Sequence, residues 1–187
     1  MNNILKGINL YLIGMMGAGK TTVGSLLAQQ LGYRFFDTDA VIERVAGGQS
    51  INEIFTTVGE DAFRQIESQV LAELSAYTKL AVATGGGIVL RRKNWSYLHH
   101  GLVVWLDVPV ELLIARLAED TTRPLLKDAD RNRKLQMLLE QRRSLYAQAD
   151  IRVTADAGET PEQLAARVME EIPKVLKPEI TPPASFN

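Results

Sequence analysis

The chain has 187 residues, 46% hydrophobic and 23% charged, which suits one globular domain with a short appendage. It has no cysteine, which excludes disulfides and thiolate chemistry, and its two adjacent histidines, His99 and His100, argue against a histidine zinc centre. A net charge of -1, a start without a signal pattern and short apolar runs predict a cytoplasmic protein without nucleic-acid or membrane partners.

Apolar, β-rich runs alternate with helical patterns, the signature of a parallel α/β sheet. Strands are predicted at about Ile8–Ile13, Arg34–Asp37, Leu80–Thr84, Leu102–Asp107 and Ile151–Val153. The first helix should start at Lys20, bury Val23, Leu26, Leu27 and Leu31, and stop at Gly32. A helical run follows over Ala40–Val45. Ser50 and Glu53 form a capping box for a short helix through Phe55. After Gly59 a longer helix turns Phe63, Ile66, Val70 and Leu74 inward. The histidine pair reads as surface, just before the fourth strand. Another helix covers Val110 to Glu119. Residues 120 to 130 are polar and charged around Arg123-Pro124, the composition of a lid loop. A helix over Lys134–Ala147 comes next. Thr160-Pro161-Glu162-Gln163 opens the last helix with a cap, a first-turn proline and a capping-box glutamine. One domain, 1–177, is expected, and 178–187 reads as a loose tail.

Gly14-Met15-Met16-Gly17-Ala18-Gly19-Lys20-Thr21 fits the P-loop pattern without mismatch, between a strand and an amphipathic helix. Glycines let backbone N–H groups wrap a phosphate, and the helix adds its positive end. Lys20 reaches the β- and γ-phosphates, and the Thr21 hydroxyl can ligate Mg²⁺. ATP and Mg²⁺ are thereby implied. No Asn-Lys-x-Asp guanine motif occurs, and a motor ATPase needs a larger chain, so a small kinase remains.

The acceptor side is read from five places. Asp37 and Asp39 close the second strand, at the sheet edge where ligands bind. If the chain stays extended they face similar sides, one toward metal and one toward an acceptor hydroxyl; the alternative is helix capping by Asp39. Arg142 falls inside the stripe Leu135, Leu138, Leu139, Leu145 and Tyr146, so it needs an anionic partner, either a substrate or an internal carboxylate. Arg64, with Glu67 three residues on, reads first as a helical ion pair. Gly85-Gly86-Gly87 lets a ligand approach bare backbone. Arg123 is either solvated or closes over phosphates.

Together, Gly-x-x-Gly-Ala-Gly-Lys-Thr, Asp-Thr-Asp, Phe63 to Glu67, Gly-Gly-Gly, Arg123 to Leu126 and Arg142 to Tyr146 resemble shikimate kinase in order and spacing over about residues 5 to 172. The resemblance implies a three-layer P-loop NTPase fold, nucleoside-monophosphate-kinase-like, with a five-stranded parallel sheet in the order 2-3-1-4-5. It implies ATP-dependent phosphorylation of the shikimate 3-hydroxyl, a step toward chorismate and the aromatic amino acids; a monomer is the default expectation. Asp39, Lys20 and Arg123 would be catalytic. Gly17, Ala18, Gly19, Lys20, Thr21, Thr22, Arg116 and Arg123 would hold ATP, with Arg116 stacked on adenine. Thr21 and, through water, Asp37 would hold Mg²⁺; Asp107, at the end of a strand that passes for Walker B, would not. Asp39, Arg64, Arg142 and Gly85 to Gly87 would bind shikimate, the two arginines on its carboxylate.

The loop Thr154 to Glu159 lacks an arginine that some members place near ATP, so no adenine contact is assigned there. A related gluconate or nucleoside-monophosphate kinase is the rival enzyme. A catalytically silent nucleotide-binding regulator is the rival class, and such a chain would be expected to have lost Lys20, Asp39 or a clamp arginine.

Overall fold

A computed structural model describes residues 4–118 and 130–176. The expected lid at 120–130, apart from Asp130, lies outside them, as do Arg123 and the tail 178–187. The described residues form a five-stranded parallel sheet in the order β2-β3-β1-β4-β5, as the resemblance implies. Its strands are β1 (Leu10–Ile13), β2 (Arg34–Asp37), β3 (Leu80–Ala83), β4 (Leu102–Asp107) and β5 (Ile151–Thr154). Burial explains their composition. The three inner strands are buried at every position and read as unbroken apolar runs. Edge strand β5 alternates buried and exposed residues, and edge strand β2 is only partly buried.

Helices cover both faces. Helix α1 (Lys20–Leu31) brings Gly24 so close to the Leu12 side of β1 that a Cβ there would meet Phe35 and Leu12. It also packs on α8 (Pro161–Val175), which lies against β5. Trp105 pairs in register with Ile13, so by alternation it points to the face opposite Leu12. There it stacks on Tyr146 of α7 (Arg131–Tyr146), ring centroids 5.8 Å apart. Helices α2 (Thr38–Val45), α3 (Ile51–Val58) and α4 (Glu60–Ser75) pack on one another beyond β2. Helices α5 (Arg92–Leu98) and α6 (Val110–Leu117) flank β4 in sequence.

Both predicted capping boxes form, at Ser50/Glu53 and Thr160/Gln163, and Gly32 ends α1 in the left-handed conformation. His99 and His100 are exposed. Several boundaries differ from expectation. Ile8 is 38% exposed and lies in a turn closed by its N–H on the Leu5 carbonyl, so β1 starts at Leu10. Helix α3 runs on to Val58, because Gly59 rather than Phe55 stops it. Helix α7 begins at Arg131, ahead of the apolar stripe that suggested Lys134. A 3₁₀ turn at Ile88–Leu90 and the short α5 carry no clear periodicity and were not expected.

Candidate active site

Strand β1 sits between β3 and β4, so connections leave it in both directions and a crevice opens at its carboxyl end. The P-loop fills the bottom of that crevice. Gly14, at φ +142°, passes so near β4 that a Cβ would stand 2.6 Å from the Leu106 carbonyl oxygen. Gly19 caps α1 at φ +90°, where other residues are strained, and leaves the first N–H groups of the helix facing the cavity. Lys20 is buried and donates from Nζ to the carbonyls of Gly14 (2.9 Å) and Met15 (2.8 Å).

The Thr21 hydroxyl donates to Asp37 Oδ2 at 2.6 Å. Asp37 Oδ1 in turn accepts from the Asp39 N–H at 2.9 Å, so Asp37, not Asp39, caps α2. The chain therefore turns helical at Thr38 instead of staying extended, and Asp39 sits in the first turn. A hydroxyl and a carboxylate so close beside a phosphate loop are hard oxygen donors of the kind Mg²⁺ takes, with water completing its shell. Asp107 is placed differently. Arg152 donates to its Oδ2 from Nε at 2.9 Å and from Nη2 at 2.5 Å, and Arg143 lies 3.9 Å away.

Above the P-loop lies a cavity of about 670 Å³, reaching from Gly17, Gly19, Lys20 and Thr21 to Asp37 and Asp39. A smaller hollow of about 70 Å³ shares Asp39, Ile51, Gly85 and Gly86 with it. Met16, Phe55, Phe63, Arg64, Glu67, Gly87 and Arg142 complete the smaller hollow. Asp39 and the glycine run thus stand at the junction of a phosphate compartment and a second compartment carrying two buried arginines.

The glycines are required by space. A Cβ on Gly85 would stand 2.6 Å from Glu67 Oε1 and 3.0 Å from Asp39 Oδ1, and one on Gly87 would overlap the Arg64 guanidinium. Arg64 makes the predicted ion pair, Nη1 to Glu67 Oε2 at 2.8 Å, yet it also lines the hollow. Its Nε and Glu67 Oε1 are buried without a hydrogen-bond partner among the described residues, a deficiency a ligand or water can meet. Burial pushes the Glu67 carboxyl above its ordinary range, opposed by the charge of Arg64. Arg142 is 4% exposed, and among the described residues no carboxylate forms an ion pair with it.

Of the other expected residues, Arg116 reaches back to the P-loop, its Nη1 3.3 Å from the Gly17 carbonyl and 3.4 Å from that of Ala18. Thr22 is exposed in the first turn of α1, and neither it nor Ala18 lines either compartment. Sequence reasoning did not anticipate Phe55, Ile51 and Met16 as walls, nor the buried Thr38 hydroxyl that accepts from the Gly85 N–H at 3.0 Å. Only Phe63, adjacent to Arg64, carried a signal in its motif.

Comparison with known proteins agrees with this geometry. The shikimate kinase family model matches residues 16–173. A shikimate kinase of Nostoc sp. is 68% identical over 177 residues, covering 95% of this chain and 97% of the relative. One from Gloeobacter violaceus is 57% identical, covering 90% and 98%. Among solved structures, shikimate kinase from Acinetobacter baumannii in complex with shikimate is 41% identical with a TM-score of 0.86, covering 90% of this chain and 94% of that one. A gluconokinase from Sinorhizobium meliloti, 17% identical with a TM-score of 0.54, shares the fold alone. The chain belongs to the shikimate kinase family, whose members use ATP and Mg²⁺.

Proposed function

We infer that this protein transfers the γ-phosphoryl group of ATP to the 3-hydroxyl of shikimate. One observation carries the reading: Asp39 stands where the P-loop cavity meets a hollow containing two buried arginines. A phosphate donor on one side and a small carboxylate-bearing alcohol on the other meet at that carboxylate. Asp39 orients the hydroxyl for in-line attack and accepts its proton. Arg64 and Arg142 clamp the carboxylate, and acceptors without one forgo both contacts and leave the buried Arg142 guanidinium without that anion, which disfavours them strongly. Gly85, Gly86 and Gly87 offer backbone to the substrate. Gly17 to Thr22 hold the phosphates, with Lys20 drawn off the Gly14 and Met15 carbonyls onto them. Arg116 packs against the adenine side, and Arg123, from the segment outside the described residues, reaches the phosphates. Thr21 and, through water, Asp37 hold Mg²⁺, which when bound offsets charge on the transferring group.

Both compartments are lined by one chain, so a monomer is sufficient. Among the described residues no helix is long and apolar enough to cross a membrane.

The test is a coupled ADP-release assay with Mg-ATP, offering shikimate, quinate, gluconate and AMP. Turnover with shikimate alone is expected. Asp39→Asn is expected to lower kcat by about a hundredfold or more while leaving ATP affinity nearly intact. Preference for another acceptor would overturn the clamp assignment, and undiminished turnover by the variant would remove Asp39 from the chemistry.

A further inference from the structure

Tyr146 ends α7 and is fully buried. Its hydroxyl donates to the Gly86 carbonyl at 2.6 Å and lies 3.5 Å from the Met15 sulfur. One helical turn earlier, Arg142 brings its guanidinium to the same spot. A Cβ on Gly86 would stand 3.7 Å from Arg142 Nη1, and the Arg142 charge acts on the Tyr146 phenol. A phenol has one proton and lone pairs to share. Here the proton goes to the Gly86 carbonyl.

A purely packing role needs no hydroxyl, because phenylalanine fills nearly the same volume. A buried hydroxyl is costly unless bonded, and this one is bonded to the loop shared by both compartments of the cavity. The ring is fixed from behind. Trp105 stacks on it at an interplanar angle of 26°, and Arg152 lies over Trp105, 4.7 Å from its centroid. Burial raises the Tyr146 pKa to about 12, so the proton stays in place across the working pH range.

The two clamp arginines are held in different ways. Arg64 is paired to the carboxylate of Glu67 at 2.8 Å. Arg142 has no such partner among the described residues, yet a long arginine side chain must be oriented to present its fork. A neutral phenol can orient it without neutralising it. We propose that Tyr146 is a positioning residue of the acceptor site, its hydroxyl holding the Gly86 carbonyl beside the Arg142 guanidinium and so setting where the substrate carboxylate is received. This inference rests on the shikimate kinase reading above.

The experiment is Tyr146→Phe in the full chain, alone and combined with Arg142→Ala. Kinetics are measured separately in shikimate and in Mg-ATP, together with the melting temperature. In the otherwise native chain, kcat/KM for shikimate is expected to fall about tenfold through KM, as for a buried carbonyl left without its hydrogen bond. KM for Mg-ATP should stay within about twofold, and in the Arg142→Ala background the added loss should be under about twofold. Equal losses in both backgrounds, parallel rises in both KM values, or a lower melting temperature with unchanged shikimate KM would each overturn the proposal. Absence of shikimate turnover by the unsubstituted protein would instead sink the functional reading, and this inference with it.

Discussion

The Cα hydrogens of Gly85 and Gly87 face Glu67 and Arg64, and at both positions a methyl group would collide with a charged atom of the site. Gly87 sits at φ −92°, ψ 0°, which alanine can adopt, so substitution there is a steric test without backbone strain. Gly87→Ala is expected to push Arg64 off Glu67 and raise KM for shikimate by about tenfold or more, in line with overpacking costs of about 1–3 kcal/mol. KM for Mg-ATP should hardly move. Steady-state kinetics with a urea melt checks this, and an unaltered shikimate KM would show that Arg64 has room to yield. At the same scale, residue types and the local Arg64–Glu67 pair were readable from the chain, but distant partners were not. Arg142 stood out as a cation in an apolar stripe. Tyr146 shared that stripe, but that its hydroxyl would bond a glycine carbonyl 60 positions away had no signal there.

Elements were legible wherever an end carried its own chemistry. Ser50 and Thr160 marked two helix starts because a side-chain oxygen three positions ahead of an acidic or amide residue satisfies orphan N–H groups in any surroundings. Thr160→Ala is expected to lower unfolding free energy by about 1 kcal/mol. Because α8 packs on α1 and β5, away from the cavity lining, both KM values should persist. Chemical denaturation beside the ADP-release assay gives the answer, and an impaired shikimate KM would contradict a purely local cap. Where an end depends on tertiary surroundings, the expectation slipped. Ile8 is apolar enough for a strand, but a turn at Gly7 (φ +91°) leaves it outside the sheet.

For the whole molecule, the buried Arg64–Glu67 pair links site architecture to stability. The carboxyl of Glu67 is raised from its ordinary 4.5 chiefly by burial, so the folded protein holds that proton more tightly than the unfolded chain. Its contribution to stability is therefore complete below about pH 4.5 and is lost as pH rises through the raised folded value. Glu67→Gln cannot ionise, so the stability of the native protein relative to this variant should decline as pH rises above about 4.5. Urea titrations at stepped pH measure the difference. A difference that grows with pH would mean that Arg64 stabilises the carboxylate more than burial penalises it.

The sequence by itself determined the phosphate loop, the alternation of strands and helices, the helix caps and the residue types of the acceptor clamp. Each is written in contiguous spacing: a loop that must wrap a phosphate, a period of two or 3.6, a cap three residues from its partner. The tertiary structure alone decided which groups meet. Sheet order brings Thr38 to Gly85 and Tyr146 to Met15 across 47 and 131 positions. It gives Asp107 to Arg152 and leaves Asp37 facing Thr21. A helical or strand period specifies the face a side chain occupies, while its partner is set by the crossing of distant elements, which no local pattern encodes.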